Sequence, residues 1–176
     1  MLDRERAALV VVDVQEGFRK AIPDFEQVAR KTATLVEGAR WLHLPVIVTE
    51  QYPKGLGHTA REVGLQNEPV VEKTVFAASR AEGFDLGDRD QVIVCGIEAH
   101  VCVHQTVQDL LYSPLQPEDI HVVVDAVASR DPLNKEVALR GFENDEVRLS
   151  TVEMALLELC ERAGTPEFKA IQGLIK

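Results

Sequence analysis

The stretch QVIVCGIEAHVCVHQTVQDLLY, Gln91–Tyr112, changes its hydrophobic period halfway along. Gln91–Gly96 is dominated by β-branched apolar residues without polar alternation, the pattern of a strand buried on both faces. From His100 onward the apolar residues fall at helical spacing, through Val103, Val107 and Leu110. A thiol, Cys102, sits where the two patterns meet. One strand followed at once by one helix is half of a βα unit, and the fold class depends on whether the unit recurs.

It does recur, on both sides. Upstream, Ala7–Val12 reads as a doubly buried strand, and Asp24–His43 places Phe25, Val28, Thr32, Leu35, Val36, Ala39 and Leu42 on one helical face. Pro45 ends that helix, and Val46–Thr49 forms a second strand. Glu50–Pro69, EQYPKGLGHTAREVGLQNEP, reads as a long loop, a kind of segment that is usually functional in a compact domain. Val70-Val71 begins a third strand. Downstream, Ile120–Ala126 and Val147–Leu149 are the fifth and sixth, with helical patterns over Asn134–Asn144 and Thr151–Ala163. No linker or internal repeat interrupts the alternation. The expectation is an α/β fold, residues 1–176 forming one domain around a doubly wound, parallel six-stranded sheet with helices on both faces.

Composition narrows the function classes. The 176 residues are 45% apolar and 27% charged, ordinary for a globular protein. A formal charge of -10 with no basic stripe opposes nucleic acid. The short apolar run in MLDRERAALVVVDVQ is interrupted by Asp13 and reads as a strand, so neither a signal peptide nor a membrane span is expected. Three cysteines without paired spacing argue against a disulfide framework and for a reducing, cytoplasmic setting.

In parallel α/β sheets, ligands bind beyond the carboxyl ends of the strands. Asp13 follows the first strand, Lys73 the third, and Cys102 the fourth, so an acid, an ammonium and a thiol are expected on one edge. A thiol attacks carbon as thiolate, and a free thiol is only a few per cent ionised at neutral pH. Three features are expected to raise that fraction: the start of the helix, the Lys73 charge, and Asp13 as general base. Backbone N–H groups at the same helix start are candidate oxyanion donors. Each residue alone has a plainer reading. Free cysteines are commonly core filler, which suits Cys95 and Cys160, and a single lysine is commonly a solvated charge. The coincidence of all three favours acyl transfer through a thioester.

At these residues the chain resembles a known family. ALVVVDVQEGF, VVEKTVFAAS, VIVCGIEAHVCVHQTVQDLL and VVVDAVASR are similar to segments of the isochorismatase-like cysteine hydrolase superfamily, in order and over nearly the whole chain. TEQYPKGLG (Thr49–Gly57) and GIEAHVCV (Gly96–Val103) point to the subgroup of isochorismatase domain-containing proteins. The resemblance implies a Rossmann-like doubly wound sheet and a catalytic triad of Asp13, Lys73 and Cys102. It also implies a cis peptide between Ile97 and Glu98, which turns the Glu98 amide, with that of Cys102, toward an oxyanion. Ala99 stands where many members carry threonine. Nicotinamidases of the superfamily bind a metal through an aspartate and histidines after the second strand. Here His58 is the sole imidazole of that segment, so no catalytic metal and no cofactor are expected.

Phe18 matches an aromatic substrate-packing position, and Gln15, Gln51 and Tyr52 are further pocket candidates. His100 and His104 flank Cys102 without sharing its helical face, and have no assigned role. GLGHTA (Gly55–Ala60) fits a dinucleotide fingerprint on paper but lacks the strand–turn–helix context. Three function classes stay open: a cysteine hydrolase of a small amide, ureide or similar acyl compound, which is favoured; a thiol redox enzyme using Cys102; and a dormant scaffold or binding protein. The expected partners are a small-molecule substrate and further copies of the chain as a homo-oligomer, with no nucleic acid and no membrane.

Overall fold

The apolar runs become strands of one sheet in the computed structural model, which describes residues 1–176. They are β1 (Ala7–Val12), β2 (Val46–Gln51), β3 (Val70–Lys73), β4 (Gln91–Ile97), β5 (Ile120–Ala128) and β6 (Arg148–Ser150). Their spatial order is β3-β2-β1-β4-β5-β6, and every neighbouring pair is parallel. The chain builds outward from β1 to β3 on one side, then crosses back to start β4 on the other. The order therefore reverses between β1 and β4, and a crevice opens at such a switch point beyond the strand ends.

Six helices accompany the sheet: α1 (Phe25–Trp41), the single turn α2 (Pro53–Leu56), α3 (His104–Leu111), α4 (Pro132–Asn144), α5 (Val152–Cys160) and α6 (Pro166–Ile175). Period-two alternation sorts the strand residues between two core layers. Leu9, Val11, Val48, Ile93 and Cys95 pack in the layer with α1, α5 and α6. Val10, Val12, Ile47, Val71 and Val94 pack in the layer with α3 and α4. None of the helices is long and apolar enough to cross a membrane.

Several boundaries differ from expectation. β2, β3 and β4 continue to Gln51, Lys73 and Ile97 because ladder pairing outlasts the apolar run. The helix expected from His100 opens as a wide π-helical turn over Ala99–Val103, with the Val103 amide donating to the Glu98 carbonyl at 3.2 Å. The supposed loop Glu50–Pro69 contains α2, a 3-10 turn at Arg61–Val63 and a bridge between Gln15 and Thr59. α6 was not expected. It has Thr165 as a cap accepting from the Phe168 amide and Pro166 at its first position, and it buries Ile171.

One glycine is indispensable to the central pairing. Gly96 has φ +134°, and a Cβ there would lie 2.0 Å from the Val12 carbonyl oxygen of β1. Backbone strain and overpacking add, so Gly96→Ala is expected to cost about 2–6 kcal/mol in urea unfolding. Gly141, in α4 with open space around its Cβ position, is the control. A Gly141→Ala variant is expected to be as stable as the parent or slightly more so.

Candidate active site

The residue after β1, Asp13, adopts a left-handed backbone conformation with φ 54°. Aspartate tolerates this region better than most side chains, at a cost of about 1–2 kcal/mol. Its amide donates to the Thr49 carbonyl at 3.1 Å, and its own carbonyl accepts from the Gln15 amide at 2.8 Å. The carboxylate is buried at the edge of the sheet. Thr49 Oγ1 donates to Oδ1 at 2.7 Å, and Lys73 Nζ donates to Oδ2 at 2.7 Å.

Lys73 closes β3, on the same face as Val71 and two residues beyond it. Its side chain and that of Asp13 have no exposed surface. Besides Asp13, Nζ faces Gln51 Oε1 at 2.7 Å and the carbonyls of Phe76 and Val75 at 3.0 and 3.3 Å. An ammonium has three hydrogens, so its donors are fully used. The segment after β3 thus wraps its own backbone around the charge.

Cys102 completes the group from the other side of the switch point. It lies in the π-helical turn after β4, with 4% of its surface exposed. The turn is tethered by Thr106, whose hydroxyl donates to the Cys102 carbonyl at 2.6 Å and accepts from the Ala78 amide at 2.8 Å. The Cys102 turn and the segment covering Lys73 are therefore bonded together. The charges of Asp13 and Lys73 both bear on the Cys102 thiol, in opposite directions. Asp13 and Lys73 meet as a buried ion pair, and Cys102 lies where both charges act on its thiol.

Their electrostatics differ from expectation. The thiol is pushed up to about 12, first by burial and then by the negative charge of Asp13, with Lys73 pulling less strongly the other way. Burial penalises a charged sulfur, and a thiolate beside Asp13 would leave the enclosed group with net negative charge. The resting site holds a neutral thiol against an ion pair.

The remaining candidates separate. The Ile97–Glu98 peptide is cis. The Glu98 carboxylate is buried, accepts from Arg130 Nε at 2.6 Å and lies 3.1 Å from His100 Nδ1. Gln15 is completely buried: Nε2 donates to the Gln51 and Gly57 carbonyls at 3.0 and 2.6 Å, and Oε1 accepts from the Gln51 amide at 2.7 Å. It clamps the segment after β2 to the end of β1. Gln51 faces Lys73 and donates to the Thr74 carbonyl at 3.0 Å. Phe18 is half-buried against the α1 layer, while Tyr52 is exposed at the rim. Tyr52 and Lys73 line one cavity of about 410 Å³, which neither Asp13 nor Cys102 lines.

His58 is exposed and bonded through Nδ1 to Glu50 at 2.9 Å. His104 stacks on Phe142. No group of three or more His, Cys, Asp and Glu side chains is arranged to hold a metal ion. GLGHTA runs from α2 into the Gln15–Thr59 bridge and opens no α-helix. Cys95 packs in the layer across the sheet from Cys102, and all three cysteines are free. Thr49, Thr106 and Arg130 escaped the sequence reading, although Thr49 shares the strand face of Gln51 and that alternation was available as a signal.

With this geometry in view, likeness to known proteins becomes specific. The isochorismatase domain model matches residues 7–154. The chain belongs to the isochorismatase family. It is similar to isochorismatase domain-containing protein 2A of Mus musculus, with 41% identity over 98% of this chain and 84% of that one. Among solved structures it resembles the MAR1 ribonuclease of Caenorhabditis elegans, with TM-score 0.90 and 39% identity, covering 99% of this chain and 91% of that one. The YcaC gene product of Escherichia coli, described as an octameric hydrolase of unknown specificity, shares the fold at TM-score 0.83 and 20% identity, covering 98% and 89% of the two chains.

The buried ion pair yields a stability test. Lys73→Met leaves Asp13 charged without its partner and is expected to cost about 3–5 kcal/mol in urea unfolding. Combining it with Asp13→Asn should recover most of that loss, because no uncompensated charge then remains.

Proposed function

We propose that this isochorismatase-family chain is a cysteine hydrolase that cleaves a small amide, ureide or related acyl compound. The observation that carries the reading is the enclosed group itself: a neutral thiol against an ion pair whose donors are fully used. Ionising Cys102 into solvent would charge the enclosure. Passing its proton to Asp13 would not, since the thiolate then faces the Lys73 ammonium while Asp13 becomes neutral. Attack and proton transfer therefore go together.

In the proposed sequence, Cys102 Sγ bonds to the substrate carbonyl carbon as its proton moves to Asp13, and the carbonyl electron pair moves onto oxygen. The amides of Glu98 and Cys102 hold that oxyanion, each worth about 2.7–4 kcal/mol in the transition state. The amides flanking Cys102, those of Val101 and Val103, both donate to the Glu98 carbonyl at 3.0 and 3.2 Å, which keeps the turn fixed around the donor between them. The carbonyl re-forms, the carbon–nitrogen bond breaks, and Asp13 gives its proton to the departing nitrogen. Water then adds to the thioester, losing its proton to Asp13. The acid leaves, and the sulfur recovers the proton. Tyr52 at the rim and Gln51 beside Lys73 are the pocket residues this reading retains.

The reading extends to assembly. Exposed Phe76, Tyr112, Leu133 and Val137 offer apolar surface, and we take the working form to be a homo-oligomer. Light scattering is expected to give a mass above the 19.5 kDa of one chain; a monomer at micromolar concentration would count against it.

The catalytic test is ammonia release from a panel of small amides and ureides. Turnover is expected with the parent chain and a loss of more than about 1,000-fold with Cys102→Ala, whose melting temperature should stay close to that of the parent. Turnover that survives in the variant defeats the proposal. RNA belongs in the same panel because the C. elegans neighbour is named a ribonuclease. With 29 acidic against 19 basic residues, this chain is expected to leave RNA intact.

A further inference from the structure

β2 lies between β1 and β3, so its carboxyl end reaches both charged residues. Period two puts Ile47, Thr49 and Gln51 on one face, and Ile47 belongs to the core layer that holds Val12, Val71 and Cys102. Thr49 therefore meets Asp13, and Gln51 meets Lys73. The two contacts are not equivalent. Without Gln51 the Lys73 ammonium keeps Asp13 and the carbonyls of Val75 and Phe76, one acceptor for each hydrogen. Without Thr49, Asp13 Oδ1 loses the hydroxyl that donates to it at 2.7 Å.

That loss bears on geometry. The terminal torsion of an aspartate is broad, so a carboxylate held at one oxygen can swing about its Cβ–Cγ bond. Held at Oδ2 by Lys73 and at Oδ1 by Thr49, it cannot. Its plane is then fixed relative to the sulfur. The backbone joins in, since the Asp13 amide donates to the Thr49 carbonyl at 3.1 Å. One residue thus holds Asp13 by main chain and side chain together.

We infer that Thr49 is a positioning residue for the proton transfer between Cys102 and Asp13, its hydroxyl fixing the plane of the carboxylate that receives the proton. This rests on the hydrolase reading for the nucleophile and the base. It does not depend on the identity of the substrate.

Acrylamide tests it by alkylation, a readout separate from amide turnover. Cys102 Sγ bonds to the terminal alkene carbon, the π electrons move toward the carbonyl, and the thiol proton passes through Asp13 to the carbon beside the carbonyl. Labelling at Cys102 is followed by peptide mass mapping, with Cys102→Ala as background. Thr49→Val is expected to slow labelling by about 10- to 100-fold, the worth of one hydrogen bond to a charged group. Thr49→Ser should restore it. In an Asp13→Asn background, Thr49→Val should cause no further loss, whereas a merely structural role would slow both backgrounds alike. Thr49→Ala, which adds no methyl in place of the hydroxyl, is expected to show the same loss and serves where the valine variant does not fold. Labelling of Thr49→Val at the parental rate, or an equal loss in both backgrounds, overturns the inference and leaves the hydrolase reading standing. A parent chain whose Cys102 takes no label overturns the hydrolase reading itself.

Discussion

A lysine and an aspartate with no exposed side-chain surface form the constraint around which this molecule is built. Removing two such charges from water costs several kcal/mol each after relaxation, and the attraction between them offsets that only if the remaining hydrogen-bonding capacity is met. Meeting it recruits distant parts of the chain. Thr49 comes from β2, Gln51 from the end of the same strand, and two carbonyls come from the segment after β3. Gln15 holds the backbone of Gln51 in place through bonds to both its amide and its carbonyl. The long segment after β2 is folded back by that clamp and by Glu50, which accepts from the Thr59 amide at 2.6 Å and its hydroxyl at 2.8 Å. Most of the ordered polar structure at this edge serves one ion pair.

The sheet order explains why the pair has a sulfur beside it. β1 and β4 are adjacent in space and far apart in sequence, with Val12 paired to Gly96 at their carboxyl ends. The turns leaving them diverge at the reversal point, one carrying Asp13 and the other Cys102. Close approach at that pairing admits only glycine at position 96. The ladder between β4 and β5 is also interrupted between Val94 and Gly96. The end of β4 departs from regular pairing where it leads into the Cys102 turn.

Much of this was legible in the residues. Doubly buried strands such as LVVV and VIVC declare themselves by composition, and a charged residue at the end of such a run has few places to go but a polar edge. That logic reached Asp13 and Lys73, and the strand-to-helix change reached Cys102. It did not reach Gln15 or Thr49. Their roles are bonds to backbone and side chains about 36 residues away, and such bonds leave no period in the sequence. The π-helical turn was hidden for a related reason, since AHVCV has ordinary helical composition and the wider turn comes from the Glu98 carbonyl accepting from Val101 and Val103. The thiol shift runs opposite to expectation because burial and the Asp13 charge outweigh the Lys73 ammonium, and burial at one position leaves no mark in the sequence. α6 carried a legible Thr-Pro cap that was passed over in a short terminal segment.

The protonated thiol also discriminates between functions. A redox cysteine works as an accessible thiolate with depressed pKa and usually has a resolving partner nearby. Cys102 is buried and shifted the opposite way, and Cys95 packs across the sheet from it. A dormant scaffold fares little better. Replacing a buried ion pair by well-packed apolar residues is often neutral or stabilising by about 1–4 kcal/mol, so the pair gives a passive fold little return. It makes sense where a proton must move inside an enclosure without changing its net charge. In the proposed hydrolysis, the thiol, the carboxylate and the ammonium supply a donor, an acceptor and a fixed countercharge for that one transfer. The cost of burying them then belongs to the chemistry rather than to the stability of the sheet.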